Sequence, residues 1–245
     1  MICRTEKRMD IFKKLTALIL MTVMLFSLSA CGSSAEQKEN GSSGDITTAA
    51  QQESAEAETE ETQTASDTGK SDILVVYFSR TGEQFSVGVI EEGNTAIVAK
   101  MIAEKTGADL FEILPADDHY PMTYEALTEV ALHEQDEKAR PEYAGDVPDL
   151  SNYSTIFIGA PVWWGDWPMI MYTFFEKNAD ALAGKTLIPF STHEGSGLAG
   201  FDRKLASACP DSSVKDGFAV RGSDAQNNRE SASSSVNDWL SMLGY

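Results

Sequence analysis

The segment Asp72-Ile73-Leu74-Val75-Val76-Tyr77-Phe78-Ser79-Arg80-Thr81-Gly82, joined through ten residues to Gly93-Asn94-Thr95-Ala96-Ile97-Val98, sets a strand, a loop and a helix in succession. Ile73 to Phe78 is an unbroken apolar, β-branched and aromatic run, which suits a strand covered on both faces in a parallel sheet. Hydroxyls and a glycine follow at its C-terminal end. Asn94 is placed to cap a helix whose Ile97, Val98, Met101 and Ile102 share one face, and Gly107 stands where that helix stops. Free N–H groups and the positive end of the helix dipole converge on the loop, so it is a ready anion site. No Walker lysine accompanies it, which points to a monophosphate held mainly by backbone N–H groups.

Downstream, strand and helix patterns alternate to the end of the chain. Strands are expected at Asp109–Leu114, Thr155–Ala160, Thr186–Thr192 and Val214–Val220, with Pro189 marking a bulge in the fourth. Helices are expected over Tyr124–Ala139, from Pro168 onward, over Phe201–Ala208, and at the C-terminus, where Val236, Trp239, Leu240 and Leu243 recur at helical spacing. Glu142 to Asn152 reads as a loop. Five strands with right-handed crossovers give an α/β, three-layer, doubly wound parallel sheet. Ligands of such folds lie over the C-terminal ends of the strands. Two loops there stand out. Pro161-Val162-Trp163-Trp164-Gly165-Asp166-Trp167 packs three tryptophans into five residues, too many for the core alone, so at least one ring is a stacking surface. Gly165 follows Trp164 where a positive φ would be tolerated. Thr192-His193-Glu194-Gly195-Ser196-Gly197 is small and polar, which lets backbone approach a planar ligand.

Ser79-Arg80-Thr81-Gly82 with Gly93-Asn94-Thr95 resembles the phosphate loop of flavodoxins, Ser-x-Thr-Gly-Asn-Thr, split by an insertion from Glu83 to Glu92. Pro161–Gly165 and Pro189–Gly197 resemble the second and third flavin loops of bacterial flavodoxin-like proteins. The resemblance spans Ile73 to Gly244. It implies a sheet order of 2-1-3-4-5, noncovalent FMN and electron transfer, with no catalytic side chain. Ser79, Arg80, Thr81, Gly93, Asn94 and Thr95 would then border the phosphate. Pro161, Val162, Trp163, Trp164 and Gly165 would flank one edge of the ring, and Thr192, His193, Glu194, Gly195, Ser196 and Gly197 the other. Within the insertion Phe85, Val87 and Val89 alternate with polar or small residues, as in a ribbon or flap over the flavin.

Rival readings fail on particular residues. A dinucleotide-binding G-x-G-x-x-G is missing after the first strand; Gly195, Gly197 and Gly200 match its spacing but follow the fourth. A phosphoacceptor receiver would carry an aspartate where Gly159 and Ala160 stand, and Ser196 lacks the G-x-S-x-G frame of a hydrolase. His119, His133 and His193 show no metal spacing, so no metal site is expected. Cys209 and Trp239 read as packed residues.

The N-terminal part reads differently. Basic residues precede an apolar run, Leu15 to Leu28, which ends in Leu28-Ser29-Ala30-Cys31. Residues 1–30 are therefore expected to be a signal peptide, and the last four residues resemble a bacterial lipobox that would place a lipid on Cys31. Residues 31–71, acidic and without aromatic side chains, are expected to form a disordered tether, and residues 72–245 the flavodoxin-like domain. The precursor carries a net charge of −19. Residues 1–30 hold five basic and two acidic side chains, so the remainder carries −22, which makes nucleic acid and anionic membrane surfaces poor partners for it. The expectation is a lipid-anchored, extracytoplasmic electron-transfer protein working with a redox protein or a small-molecule donor or acceptor. The alternatives are an FMN-dependent NAD(P)H:quinone-type oxidoreductase and a non-catalytic flavin-binding lipoprotein.

Overall fold

The computed structural model describes residues 71–245. The expected signal peptide, Cys31 and all but the last residue of the expected tether lie outside the described residues. Five strands form the parallel sheet: β1 (Ile73–Tyr77), β4 (Asp109–Glu112), β7 (Thr155–Pro161), β8 (Thr186–His193) and β10 (Phe218–Arg221). Their order is β4-β1-β7-β8-β10, which is 2-1-3-4-5 as expected. β1 and β7 occupy the middle, register Val76 against Ile158, and are buried almost throughout.

Two apolar layers sandwich the sheet. On one face Val75, Tyr77 and Phe157 pack against Ile97, Val98 and Ile102 of α1 (Asn94–Thr106) and against Val236, Trp239 and Leu240 of the C-terminal helix Arg229–Leu243. On the other, Leu74, Val76 and Ile158 pack against α2 (Tyr124–Glu137), α3 (Met169–Lys177), the single turn α4 (Ala179–Leu182) and α5 (Phe201–Ala208). Trp239 is core, stacked on Phe218 at 5.2 Å. Cys209 is buried too, and burial pushes its thiol up to about 11, which leaves it unreactive.

The structure departs from the sequence expectations in three places and gives the expected ribbon of the insertion its form. The second strand stops at Glu112, and β5 (Leu114–Pro115) leaves the sheet to pair with β6 (Tyr143–Ala144) from the expected loop. The insertion is a hairpin, β2 (Gly82–Gln84) with β3 (Gly88–Ile90), turned by Ser86 and Gly88 at positive φ. The fifth strand is interrupted: β9 (Ser213–Val214) pairs with Thr186 and Leu187, and pairing resumes only at Phe218 opposite Phe190. Lys215 N–H reaches the Leu187 carbonyl, so alternate residues of β8, Pro189 among them, face this side. Proline offers no N–H there, and a Cβ on Gly217 would lie 2.5 Å from the Pro189 carbonyl oxygen. The fifth strand therefore bends around Pro189. Finally, a short helix, α6 (Gly222–Asn227), precedes the C-terminal helix, α7 (Arg229–Leu243). It was not expected, because its residues Gly222-Ser223-Asp224-Ala225-Gln226-Asn227 carry no apolar period.

Candidate functional site

A cleft of about 310 Å³ opens over the C-terminal ends of β7 and β8. Asn94 stands at one end. Pro161–Gly165 form one wall, and Thr192, His193, Glu194 and Ser196 another. Gln84 and Phe85 of the hairpin, with Tyr124, Leu127, Thr128 and Ala131 of α2, close the outer side. Of these outer residues the sequence placed only Phe85, within the expected flap, over the cleft. The rest belong to a flap and a helix that long-range packing brings to the cleft.

At the Asn94 end the chain is tightly wound. A Cβ on Gly93 would stand 2.1 Å from Ser79 Oγ and 2.8 Å from the Arg80 carbonyl oxygen. Ser79 Oγ accepts the Ala96 N–H at 3.0 Å, and the Gly93 carbonyl accepts that of Ile97. Ser79, not Asn94, thus satisfies the helix end. The Asn94 side chain instead accepts from Gln226 of α6 at 2.9 Å, which corrects its expected capping role. The N–H groups of Asn94 and Thr95 meet no acceptor among the described residues, and the Ser79 hydroxyl keeps its own proton to donate. Thr95 turns inward, its hydroxyl 2.8 Å from that of Thr192 in a buried pair.

Arg80 points elsewhere. Its guanidinium binds Asp118 at 2.7 Å and the Tyr120 carbonyl at 2.8 Å, and it lies over the Tyr120 ring. It clamps the loop before α2, so its charge is not directed at the anion loop. Thr81 remains exposed, and its carbonyl accepts from Gln84.

The aromatic wall is a tight turn. Trp163 N–H donates to the Asp166 carbonyl and Asp166 N–H to that of Trp163, with Trp164 (φ +49°) and Gly165 (φ +73°) at its tip. Positive φ at both central residues is the signature of a type I′ turn. Gly165 bears it freely, as its position suggested; Trp164 does so at about 1–2 kcal/mol. The three tryptophans divide by location. Trp167 is core, 1% exposed and stacked on Phe201 at 3.6 Å. Trp163 is half-buried, edge-on to Phe78 and Tyr120. Trp164 is 54% exposed, its indole N–H donating to the Thr128 carbonyl of α2. Of the three it is the exposed one.

A family profile described as flavodoxin matches residues 72–236. The chain belongs to the flavodoxin family. Two crystal structures from Bacteroides, both assigned as flavoproteins, resemble this flavodoxin. That from Bacteroides eggerthii DSM 20697 is 28% identical over 71% of this chain and 98% of its own, with a TM-score of 0.54. That from Bacteroides uniformis ATCC 8492 is 29% identical over 69% and 97%, with a TM-score of 0.53. A flavoprotein of Lactobacillus acidophilus NCFM, solved in complex with FMN, is 23% identical over 65% and 97%, with a TM-score of 0.49. A search of curated proteins finds no match.

In this flavodoxin the hairpin is docked rather than free. Glu83 N–H donates to the Met122 carbonyl at 2.8 Å, and the Glu83 carboxylate accepts the Tyr124 N–H at 2.9 Å. Thr123, the residue before α2, makes no cap bond with its side chain, so the hairpin supplies the anionic cap. Phe85 lies 5.4 Å from the Tyr124 ring, which brings the flap to the cleft as the alternating pattern suggested.

The third loop of the flavodoxin is held by its own side chains. Ser191 Oγ donates to the Gly197 carbonyl at 3.0 Å. Glu194 faces the cleft but spends its carboxylate on the Ser223 N–H at 2.6 Å and the Ser223 hydroxyl at 3.2 Å, tying the loop to α6. Gly195, itself exposed, donates its N–H to His193 Nδ1 at 2.8 Å, so the ring proton resides on Nε2. Burial holds the His193 pKa below the ordinary histidine range, and the Arg221 guanidinium adds to this. The unfolded chain therefore takes up a proton that the folded chain resists. Stability from this group is complete above roughly pH 6.5 and falls as pH drops toward and through the folded pKa. Thermal melts across this range are expected to show that loss in the wild type. His193→Gln, which keeps an acceptor without titrating, is expected to remove it; an unchanged pH profile would place the titration elsewhere.

Proposed function

We propose that this flavodoxin binds FMN and carries electrons at the outer face of the cell membrane, held there by a lipid on Cys31. One observation supports the cofactor above all: one cleft is lined both by Asn94, at the α1 N-terminus, and by the exposed tryptophan turn. A cradle that a Cβ at position 93 would fill, at a helix end, suits a phosphate. We assign the ring to the space between Pro161–Gly165 and the wall of Thr192, His193, Glu194 and Ser196.

Bound FMN supplies a ring that accepts and releases electrons. The chain's residues do the rest. Asn94 and Thr95 N–H groups, with the Ser79 hydroxyl, hold the phosphate. Trp164 gives the ring a face to rest on, and Phe85 of the flap limits water at the outer edge. His193, with its proton on Nε2, offers a hydrogen-bond donor to the cleft. The partner of such a carrier is a redox protein or a small-molecule donor or acceptor. The absorbance spectrum of the purified protein, before and after FMN is added, tests the cofactor: flavin bands that stay with the protein through gel filtration are expected, and their absence after saturation would refute it. Cys31→Ala is expected to abolish membrane attachment, and retention of attachment would refute the anchor.

A second reading, an FMN-dependent NAD(P)H:quinone-type reductase, draws on the exposed Phe85–Tyr124 pair at the cleft mouth, which offers a second planar ring a surface. Steady turnover of a quinone with NADH or NADPH by the loaded protein would favour it over the carrier.

A further inference from the structure

The wall of the cleft holds no lysine or arginine. Its one acidic residue, Glu194, is already bound to Ser223. Directly behind the tryptophan turn, however, stands Lys204 of α5. Its ammonium donates to the Gly165 carbonyl and lies 3.1 Å from Asp166 Oδ1. The same carboxylate oxygen accepts the Trp167 N–H at 2.7 Å and the Tyr172 hydroxyl at 3.0 Å. Burial pushes the Tyr172 hydroxyl far up, and Asp166 adds to this, so it remains a neutral donor. The tip of the turn, Trp164 at positive φ, is a conformation that the surrounding contacts must impose. Lys204 and Asp166 are the side chains that grip it from the far side, while Thr128 and Gln135 of α2 meet Trp164 from the near side.

We propose that Lys204 is a positioning residue of the flavin cleft. It fixes the Trp164–Gly165 turn through the Gly165 carbonyl and Asp166, and its charge, set against that of Asp166, tunes how readily the bound flavin takes up electrons. The proposal rests on the FMN reading. Reduction adds negative charge to the ring, and a cation beside the turn stabilises that charge while a carboxylate opposes it. The two groups largely offset each other in the wild type, so removing either one unmasks the other. Water reaches part of the Lys204 side chain, so the field is screened and the effect is modest.

The test uses the full chain loaded with FMN, with the midpoint potential read by reductive titration and the affinity for oxidised FMN read by fluorescence quenching. Lys204→Met is expected to lower the reduced-to-oxidised affinity ratio by about three- to tenfold, the upper figure being roughly 30 mV for a two-electron couple. Asp166→Asn is expected to raise that ratio by a similar factor, and Lys204→Arg to hold it at the wild-type value. In the protein without FMN, amide exchange at Trp163 and Asp166 is expected to quicken in Lys204→Met and not in Lys204→Arg. A purely structural role would loosen the turn in both charge variants and weaken both redox states alike. Shifts of the same sign in Lys204→Met and Asp166→Asn, or no shift in either, would overturn the proposal. Wild-type protein that takes up no FMN would overturn the cofactor reading itself, a failure that shows before any variant is made.

Discussion

Gly93→Ala is expected to weaken FMN binding by at least about a hundredfold while leaving the sheet and helices folded. Gly93 has φ −66° and ψ 143°, a conformation open to any residue, so the reason is space and not backbone freedom. The added Cβ would meet Ser79 Oγ at 2.1 Å and the Arg80 carbonyl oxygen at 2.8 Å. Neither neighbour can swing aside cheaply. Ser79 Oγ is held by the Ala96 N–H, and the Arg80 backbone is anchored by a guanidinium bound to Asp118 and Tyr120. Relief must come from separating the two halves of the anion loop, which spreads the N–H groups that would converge on a phosphate. Overpacking of this kind costs about 1–3 kcal/mol of stability. Losing two charge-assisted hydrogen bonds, at about 1.5–3 kcal/mol each, accounts for the larger loss of affinity. Calorimetric titration with FMN, alongside circular dichroism to confirm the fold, measures both. An unchanged affinity would mean that the loop halves part without consequence and that the phosphate lies elsewhere.

FMN is expected to bind about 10² to 10⁴ times more tightly than riboflavin, the two ligands differing only in the phosphate. Among the described residues the Asn94 and Thr95 N–H groups meet no acceptor and the Ser79 hydroxyl proton is uncommitted, and the α1 dipole points the same way. Two charge-assisted bonds contribute about 3–6 kcal/mol, which converts to that range. The gain should shrink as salt is raised, since Ser79 and Asn94 are only half-buried and Thr81 is exposed. Arg80 adds little to it, because its charge is paired with Asp118. Calorimetry with each ligand at low and high salt reads the ratio. Equal affinities would remove the phosphate from the α1 terminus and leave the cleft as a ring site alone.

The residues of β1, β7 and the flanking helices announced themselves because burial on both faces of a strand and one face of a helix is a local, periodic demand. Ile73 to Phe78 and Ile97, Val98 and Ile102 satisfy it within a few residues of one another. The three loops were legible for the same reason: Ser79–Gly82, Trp163–Gly165 and Thr192–Gly197 follow directly on strands whose C-terminal ends must carry any ligand of this fold. Sequence reading alone therefore reaches the α/β class, the run of elements and, of these loops, the tryptophan and Thr192–Gly197 segments that line the cleft; Ser79–Gly82 stands outside its lining.

What the tertiary structure alone decided depends on partners far along the chain. Asn94 has the right chemistry for a cap, but Ser79 reaches the helix end first, and Gln226 takes the Asn94 amide across 132 residues. Arg80 adjoins the anion loop yet finds Asp118 and Tyr120, whose position depends on how the segment before α2 folds back. Pro189 could be flagged as awkward from sequence; which neighbour it would disturb depended on the side of β8 it faces. The flap reaches the cleft because Glu83 caps α2, and the tryptophan turn holds its strained shape because Lys204 and Thr128 grip it from two helices. Hydrogen bonds and charges act over a few ångströms without regard to sequence separation, so only the folded chain selects among the partners that composition allows.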